Sequence, residues 1–213
     1  SFSFFNTTYF PDGKYNVTVW ANDSLNNLNN SAKVQFTIDN TYPLITYNGT
    51  TSVNYANLSQ ATIFVNVSIT ETNFANVTYL LYNATAQVNS TTFVLATYTI
   101  NWTALPNGNY TYNGSVRDSV NNLNVTATRS ITLDTVAPTV AVSASSTAQT
   151  SLSLNFSYSD ATSGVASASS CNKDRVDATI SGTTVTETGL SCGTSYSYTI
   201  SCSDRAGNAG SVT

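Results

Sequence analysis

Fifteen asparagines of this 213-residue chain open an N-x-S/T triplet: Asn6, Asn16, Asn22, Asn29, Asn48, Asn57, Asn66, Asn76, Asn83, Asn89, Asn101, Asn109, Asn113, Asn124 and Asn155. That triplet is the acceptor of N-linked sugar, and its asparagine must be exposed to be used. The chain has 26 asparagines, and fourteen of the fifteen triplets lie before residue 136. Alternating polar positions along a strand would set some Asn and Thr two apart without any sugar. Alternation alone does not explain why fourteen of the fifteen precede residue 136. Dense N-linked glycans are therefore expected, and they would account for a second oddity. Charged residues make up only 8% of the sequence, against about 25% in ordinary soluble proteins.

The other reactive side chains exclude more than they offer. There is no histidine, so Ser–His and Cys–His nucleophile pairs are ruled out. Seven Lys and Arg against eleven Asp and Glu leave a net charge of −4 and no basic patch. Nucleic-acid binding and polybasic membrane contact lack their electrostatic footprint. No apolar run reaches the 18 residues of a membrane-spanning helix. No catalytic residue is assigned and no enzyme is expected. Starting at Ser1, the chain reads as a mature or excised fragment.

The elements that must hold these groups are strands. Residues 61–70, ATIFVNVSIT, set Ile63, Val65, Val67 and Ile69 on one face and Asn66 and Ser68 on the other. Residues 151–160 repeat the pattern with Leu152, Leu154, Phe156 and Tyr158. Period-two alternation with one apolar face is the mark of a half-buried antiparallel strand. Strands are expected near 44–48, 61–70, 75–83, 91–103, 109–118 and 124–134. A second set is expected near 139–145, 151–159, 165–171, 175–181, 183–188 and 194–203, with a last one begun at 209–213.

Residues 10–43 and 105–138 align without a gap, 95 residues apart. Such a period fits units the size of a small β-sandwich. Residues 41–135 form one complete unit and residues 136–213 another that lacks most of its last strand. Residues 1–40 are the closing part of a third. The short links IDNTYP and LDTVAP join them, each ending in a proline that stops the preceding strand. A tyrosine followed by an aspartate eight residues on occurs three times: Tyr15 and Asp23, Tyr110 and Asp118, Tyr196 and Asp204.

The stretch TGLSCGTSYSYTISCSDRAGN (188–208) resembles the closing half of a fibronectin type III-like domain. The DTVAP link and the D-x-x-x-N loops resemble the immunoglobulin-like repeats of large prokaryotic surface proteins, and the sequon density is similar to archaeal rather than bacterial examples. The fold this implies is all-β: tandem Ig-like or fibronectin III-like sandwiches on short linkers. In such a sandwich the incoming link, the B–C loop and the F–G loop share one end. Asp39, Glu71 and Asp118 should then gather at one junction, and Asp134, Asp160 and Asp204 at the next. Hard oxygen ligands from three segments suit Ca²⁺. The alternative is that each aspartate caps its own turn. Apart from calcium, no cofactor is implied.

Three cysteines remain. Cys192 and Cys202 stand at opposite ends of what reads as one strand, some 33 Å long at about 3.3 Å per residue, too far apart to pair. Cys171, closing strand C, should meet the start of strand F, so Cys171–Cys192 is the expected disulfide and Cys202 a small buried hydrophobe. A disulfide fits an extracellular setting. Trp20, Phe64 and Tyr82 face outward, and Arg129 falls on an inward position, which implies a bulge or an edge. The functional expectation is a structural, non-enzymatic segment of a glycosylated extracellular filament, stalk or surface layer, self-associating by strand complementation or head-to-tail docking. The alternatives are an adhesin or carbohydrate-binding module, or an accessory module of a larger secreted enzyme.

Overall fold

The computed structural model describes residues 10–213; Asn6 and the opening of unit 1–40 lie outside them. Apart from a 3₁₀ turn at Ala168–Ser170, every described element is a strand. The all-β expectation holds.

Strands β1 (Gly13–Asn22) and β2 (Leu28–Ile38) pair antiparallel as a two-stranded sheet. Tyr15 stacks on Phe36 across the pair, at 5.9 Å between ring centroids. The central unit has two sheets. The smaller orders β3 (Leu44–Tyr47), β5 (Ile63–Thr70) and β8 (Thr99–Trp102). The larger orders β4 (Ala56–Leu58), β11 (Arg129–Leu133), β9 (Gly108–Asp118), β6 (Phe74–Asn83) and β7 (Gln87–Phe93), with β10 (Leu123–Val125) also on β9. Their inner faces meet in one core. Val65, Tyr79, Leu81, Tyr112, Val116 and Leu133 are wholly buried there, and each large side chain of this kind contributes about 1.5–3 kcal/mol on burial.

The last unit divides its strands differently. One sheet orders β12 (Thr139–Ala148), β13 (Ser151–Ser159), β16 (Thr184–Thr188) and β15 (Thr179–Ser181). The other orders β14 (Asn172–Lys173), β17 (Ile200–Ser203) and β18 (Ala209–Val212). Its core gathers Phe156, Val185, Tyr198, Ile200 and the Cys171 and Cys202 pair.

Several expected strands are shorter or divided. The run 91–103 is two strands, β7 and β8, in different sheets. The segment between them exposes Val94 and Leu95 as the chain crosses over. The run 194–203 is regular only from Ile200, and 165–171 carries only a single bridge, Val165 to Asp204.

The disulfide expectation is corrected. Cys171 bonds to Cys202, and Cys192 is a free, exposed thiol. The register explains why. Asn172 pairs with Ser201 and Lys173 with Ile200, so residue 171 sits opposite residue 202. Cys171 opens this strand rather than closing it, and in an antiparallel pair the start of one strand meets the end of the other. Cys192 lies elsewhere, its Sγ donating to the Gln149 carbonyl at 3.2 Å.

Replacing both Cys171 and Cys202 by Ala opens a 31-residue separation. The loss expected from chain entropy is about 3–4 kcal/mol, measured by urea unfolding. The Cys192→Ala variant should unfold at the wild-type midpoint.

Candidate functional site

The three Tyr-to-Asp repeats become two matching tyrosine corners and three matching aspartate loops. The Tyr15 hydroxyl donates to the Pro11 carbonyl at 2.8 Å and the Tyr110 hydroxyl to the Pro106 carbonyl at 2.9 Å. Each pins its strand to the chain four residues upstream, as in the tyrosine corner of Ig-like domains. Tyr196 differs: its hydroxyl accepts from the Ser191 N–H at 2.8 Å.

Eight residues on, each aspartate closes a five-residue loop with an asparagine. The backbone N–H of Asn27, Asn122 and Asn208 donates to Oδ1 of Asp23, Asp118 and Asp204, at 2.8, 2.9 and 2.9 Å. The side-chain Nδ2 of the same asparagines donates to Oδ2, at 2.7, 2.7 and 2.8 Å. The residue before each asparagine (Asn26, Asn121 or Gly207) has φ of 65, 75 or 92°, a left-handed conformation that Asn and Gly adopt most readily.

In the central and last units that asparagine has a second task. Asn122 Nδ2 donates to the carbonyls of Asp39 (3.0 Å) and Thr41 (3.3 Å) in the first link. Asn208 Nδ2 donates to those of Asp134 (2.8 Å) and Val136 (3.4 Å) in the second. The preceding unit grips the same links from the other side. Asp12 Oδ1 accepts from the Asn40 N–H at 2.7 Å, and Asn107 Oδ1 from the Thr135 N–H at 3.1 Å. Asp12 and Asn107 are equivalent positions of the repeat, 95 residues apart. The B–C loops complete the grip. Asn73 Nδ2 donates to Asp39 Oδ2 at 2.7 Å, and the Ser163 N–H donates to Asp134 Oδ2 at 2.9 Å.

This convergence brings the six carboxylates together as two triads. Asp39, Glu71 and Asp118 each place an oxygen within 4.8 Å of the others, and so do Asp134, Asp160 and Asp204. Asp118, Asp134 and Asp204 are buried. Among the described residues the ion pair is Arg175–Glu187, at neither triad. The triads are therefore oxygen-rich, negative and uncompensated by a paired cation, the donor chemistry that hard divalent ions take. The same oxygens also cap turns. Asp118 Oδ1 accepts from the Val120 N–H at 2.9 Å and Asp160 Oδ1 from the Gly164 N–H at 2.7 Å. Burial pushes the Asp134 carboxyl up, but hydrogen bonds from Ser163 and Val136 outweigh it and hold the group below its ordinary 3.8.

The Arg129 guanidinium lies over the Tyr47 ring, 4.2 Å from its centroid, and donates to the Ser52 carbonyl at 2.6 Å. Its inward position is thereby satisfied. Trp20 is 61% exposed on β1, Phe64 is exposed on β5 and Tyr82 is half-buried on β6, so they lie on three different sheets. Sequence reasoning missed the Arg175 cluster. This guanidinium stacks on Tyr196 and Tyr198, 4.9 and 5.2 Å from their centroids, and holds the buried Glu187 in a two-point pair. That pairing lowers the Glu187 carboxyl and raises Arg175. None of the fourteen described sequon asparagines is buried.

Comparison with known proteins places this geometry. The family model described as "Bacterial Ig-like domain (group 3)" matches residues 2–87 and 94–173. Chitinase A1 of Niallia circulans is 35% identical over 109 residues, covering 46% of this chain and 16% of that protein; the match spans about a sixth of the relative's length. Among solved structures, the fibronectin(III)-like modules of Clostridium thermocellum CbhA are similar over 44% of this chain and 98% of theirs, at 15% identity and a TM-score of 0.34. A marsupial T cell receptor is similar over 94% of this chain and 71% of its own, at 11% identity and a TM-score of 0.38. The family description and the chitinase are bacterial, so the archaeal likeness gains no support.

Two outcomes are expected. Roughly 10 mM Ca²⁺ should raise stability by about 1–3 kcal/mol, as for extracellular modules of submillimolar to millimolar affinity, and Asp160→Asn should reduce the gain. A melting temperature indifferent to Ca²⁺ would assign the triads to turn capping alone. Without Ca²⁺, acid should unfold the chain. The depressed carboxyls of Asp134 and Glu187 stabilise the fold above their unfolded values of 3.8 and 4.5, and that contribution is lost as pH falls through the lower folded values. Circular dichroism across pH 2–6 would record it.

Proposed function

Because the chain belongs to the bacterial Ig-like domain (group 3) family, we propose that it is a non-catalytic spacer: tandem sandwiches that hold other parts of a larger secreted or cell-surface protein at a set separation. One observation carries this reading. Both links are gripped from equivalent positions of the repeat, Asp12 and Asn122 at the first, Asn107 and Asn208 at the second. A binding module needs one good surface and has no use for a joint repeated so closely. A spacer needs the joint above all.

The similarity to part of a chitinase favours an accessory array within a secreted enzyme over a filament subunit. Ig-like sandwiches serve many unrelated ends, so that similarity carries no activity to this chain. The absence of histidine and the use of the acids in loop closure agree with a non-catalytic part. An adhesin reading has less support, since Trp20, Phe64 and Tyr82 share no platform.

Small-angle X-ray scattering on the wild-type chain and on Asn122→Ala with Asn208→Ala tests the spacer. The wild type should give one narrow distribution of distances between units. The double variant should broaden it and lose about 0.5–1.5 kcal/mol per joint from the part-buried hydrogen bonds removed. A wild-type distribution already as broad as that of the variant would defeat the proposal.

A further inference from the structure

Each sheet of the central unit ends on an open strand at both sides, β3 and β8 on one and β4 and β7 on the other, and the short β10 adds a free edge beside β9. Exposed edges pair with other chains unless something guards them, and the usual guards are Lys, other charges, proline or a bulge. The four end strands read LITY, ANL, QVNSTTF and TINW, without a charge or a proline among them, and the one conventional guard is a bulge on β7, where Val88 falls between the paired Gln87 and Asn89. Three instead carry a sequon asparagine: Asn57 on β4, Asn89 on β7 and Asn101 on β8. On the fourth, Asn48 follows β3 directly.

The acceptor nitrogens are available. Asn89 Oδ1 accepts from the hydroxyl of its own sequon Thr91 at 2.7 Å and from Trp102 Nε1 at 3.1 Å. The carbonyl end is thus anchored and the amide nitrogen left over. Among the described hydrogen bonds, none involves the side chain of Asn57 or Asn101, and none the nitrogen of Asn89. Asn101 is exposed, and Asn57 and Asn89 are half-exposed.

We infer that Asn57, Asn89 and Asn101 are N-glycosylation sites whose sugars guard the edges of the central unit in place of charge. The donor class is a lipid-pyrophosphate-linked oligosaccharide, transferred by a membrane-bound glycosyltransferase. The bond from the asparagine Nδ2 to the sugar C1 forms while the bond from C1 to the pyrophosphate oxygen breaks. The amide gives up one proton and the lipid pyrophosphate leaves. A bulky, hydrated group beside an unpaired N–H and C=O row keeps a second strand from docking there. The last unit is guarded otherwise: its edge strands β12, β14, β15 and β18 carry no sequon, β14 has a charge in Lys173, β12 has a bulge at residues 142–144, and β15 and β18 are only three and four residues long. The inference goes beyond the spacer reading and needs only that the chain be exported.

The test is secretion of the whole chain from a eukaryotic host with its own oligosaccharyltransferase, then site mapping by mass spectrometry. Sugar is expected on Asn57, Asn89 and Asn101. The folded glycoprotein would next be trimmed with an endoglycosidase to single core sugars. Sedimentation should show self-association rising by tenfold or more. It should rise equally in Asn57→Gln/Asn89→Gln/Asn101→Gln, and placing a charge on the β7 edge of that variant with Val88→Lys should reverse part of the rise. Unmodified edge asparagines, or trimmed protein as monomeric as untrimmed, would overturn the inference. Either result leaves the interdomain distances that test the spacer untouched.

Discussion

The structure depends on a side-chain amide that serves two masters. Asn122 and Asn208 each close a five-residue loop onto an aspartate and, with the same nitrogen, hold the carbonyls of the link entering their unit. A link is a short stretch of backbone with polar groups on every residue, and those groups need partners when buried. Here the partners come from both neighbours. The upstream turn supplies Asp12 or Asn107, and the downstream unit supplies its B–C and F–G loops. A link fixed from two sides couples the orientation of one sandwich to the next. The spacer reading rests on that coupling.

The acid triads follow from the same demand. Bringing the B–C and F–G loops onto one link also brings their carboxylates and the link's own within 4.8 Å of one another. Their negative charges repel, and the backbone N–H groups that cap Asp118, Asp160 and Asp134 offset part of that cost. The joint is thus electrostatically loaded. A change of charge or of bound cation there acts on interdomain geometry before it touches either core. The two sandwiches divide their strands differently, β7 lying beside β6 but β15 beside β16, yet equivalent positions hold both links, so the repeat preserves the connection more closely than the sheets it connects.

Much of this was legible in the sequence. Alternation placed Val65 and Val67 inside and Asn66 outside, because period two admits little else when one face is buried. The 95-residue repeat and the shared end of an Ig-like sandwich brought both triads together on paper. The disulfide was misread because alternation does not tell which end of a strand a residue occupies. Cys171 opens its strand, and the pairing of Asn172 with Ser201 fixes its partner. The break between β7 and β8 was hidden because a strand that changes sheets keeps its polar rhythm. The Arg175 cluster left no linear trace: Glu187, Tyr196 and Tyr198 are 12 to 23 residues away and meet Arg175 only in three dimensions.

The central claim is that the gripped links make consecutive units reorient together. Residual dipolar couplings of backbone amides, collected for residues 41–135 and 136–213 in one weakly aligned sample of the whole chain, read this directly. A locked joint predicts a single alignment tensor of the same magnitude and axes for both units. Two tensors of clearly different magnitude would show that the units move independently and that the grip of Asn208 on the link does not hold.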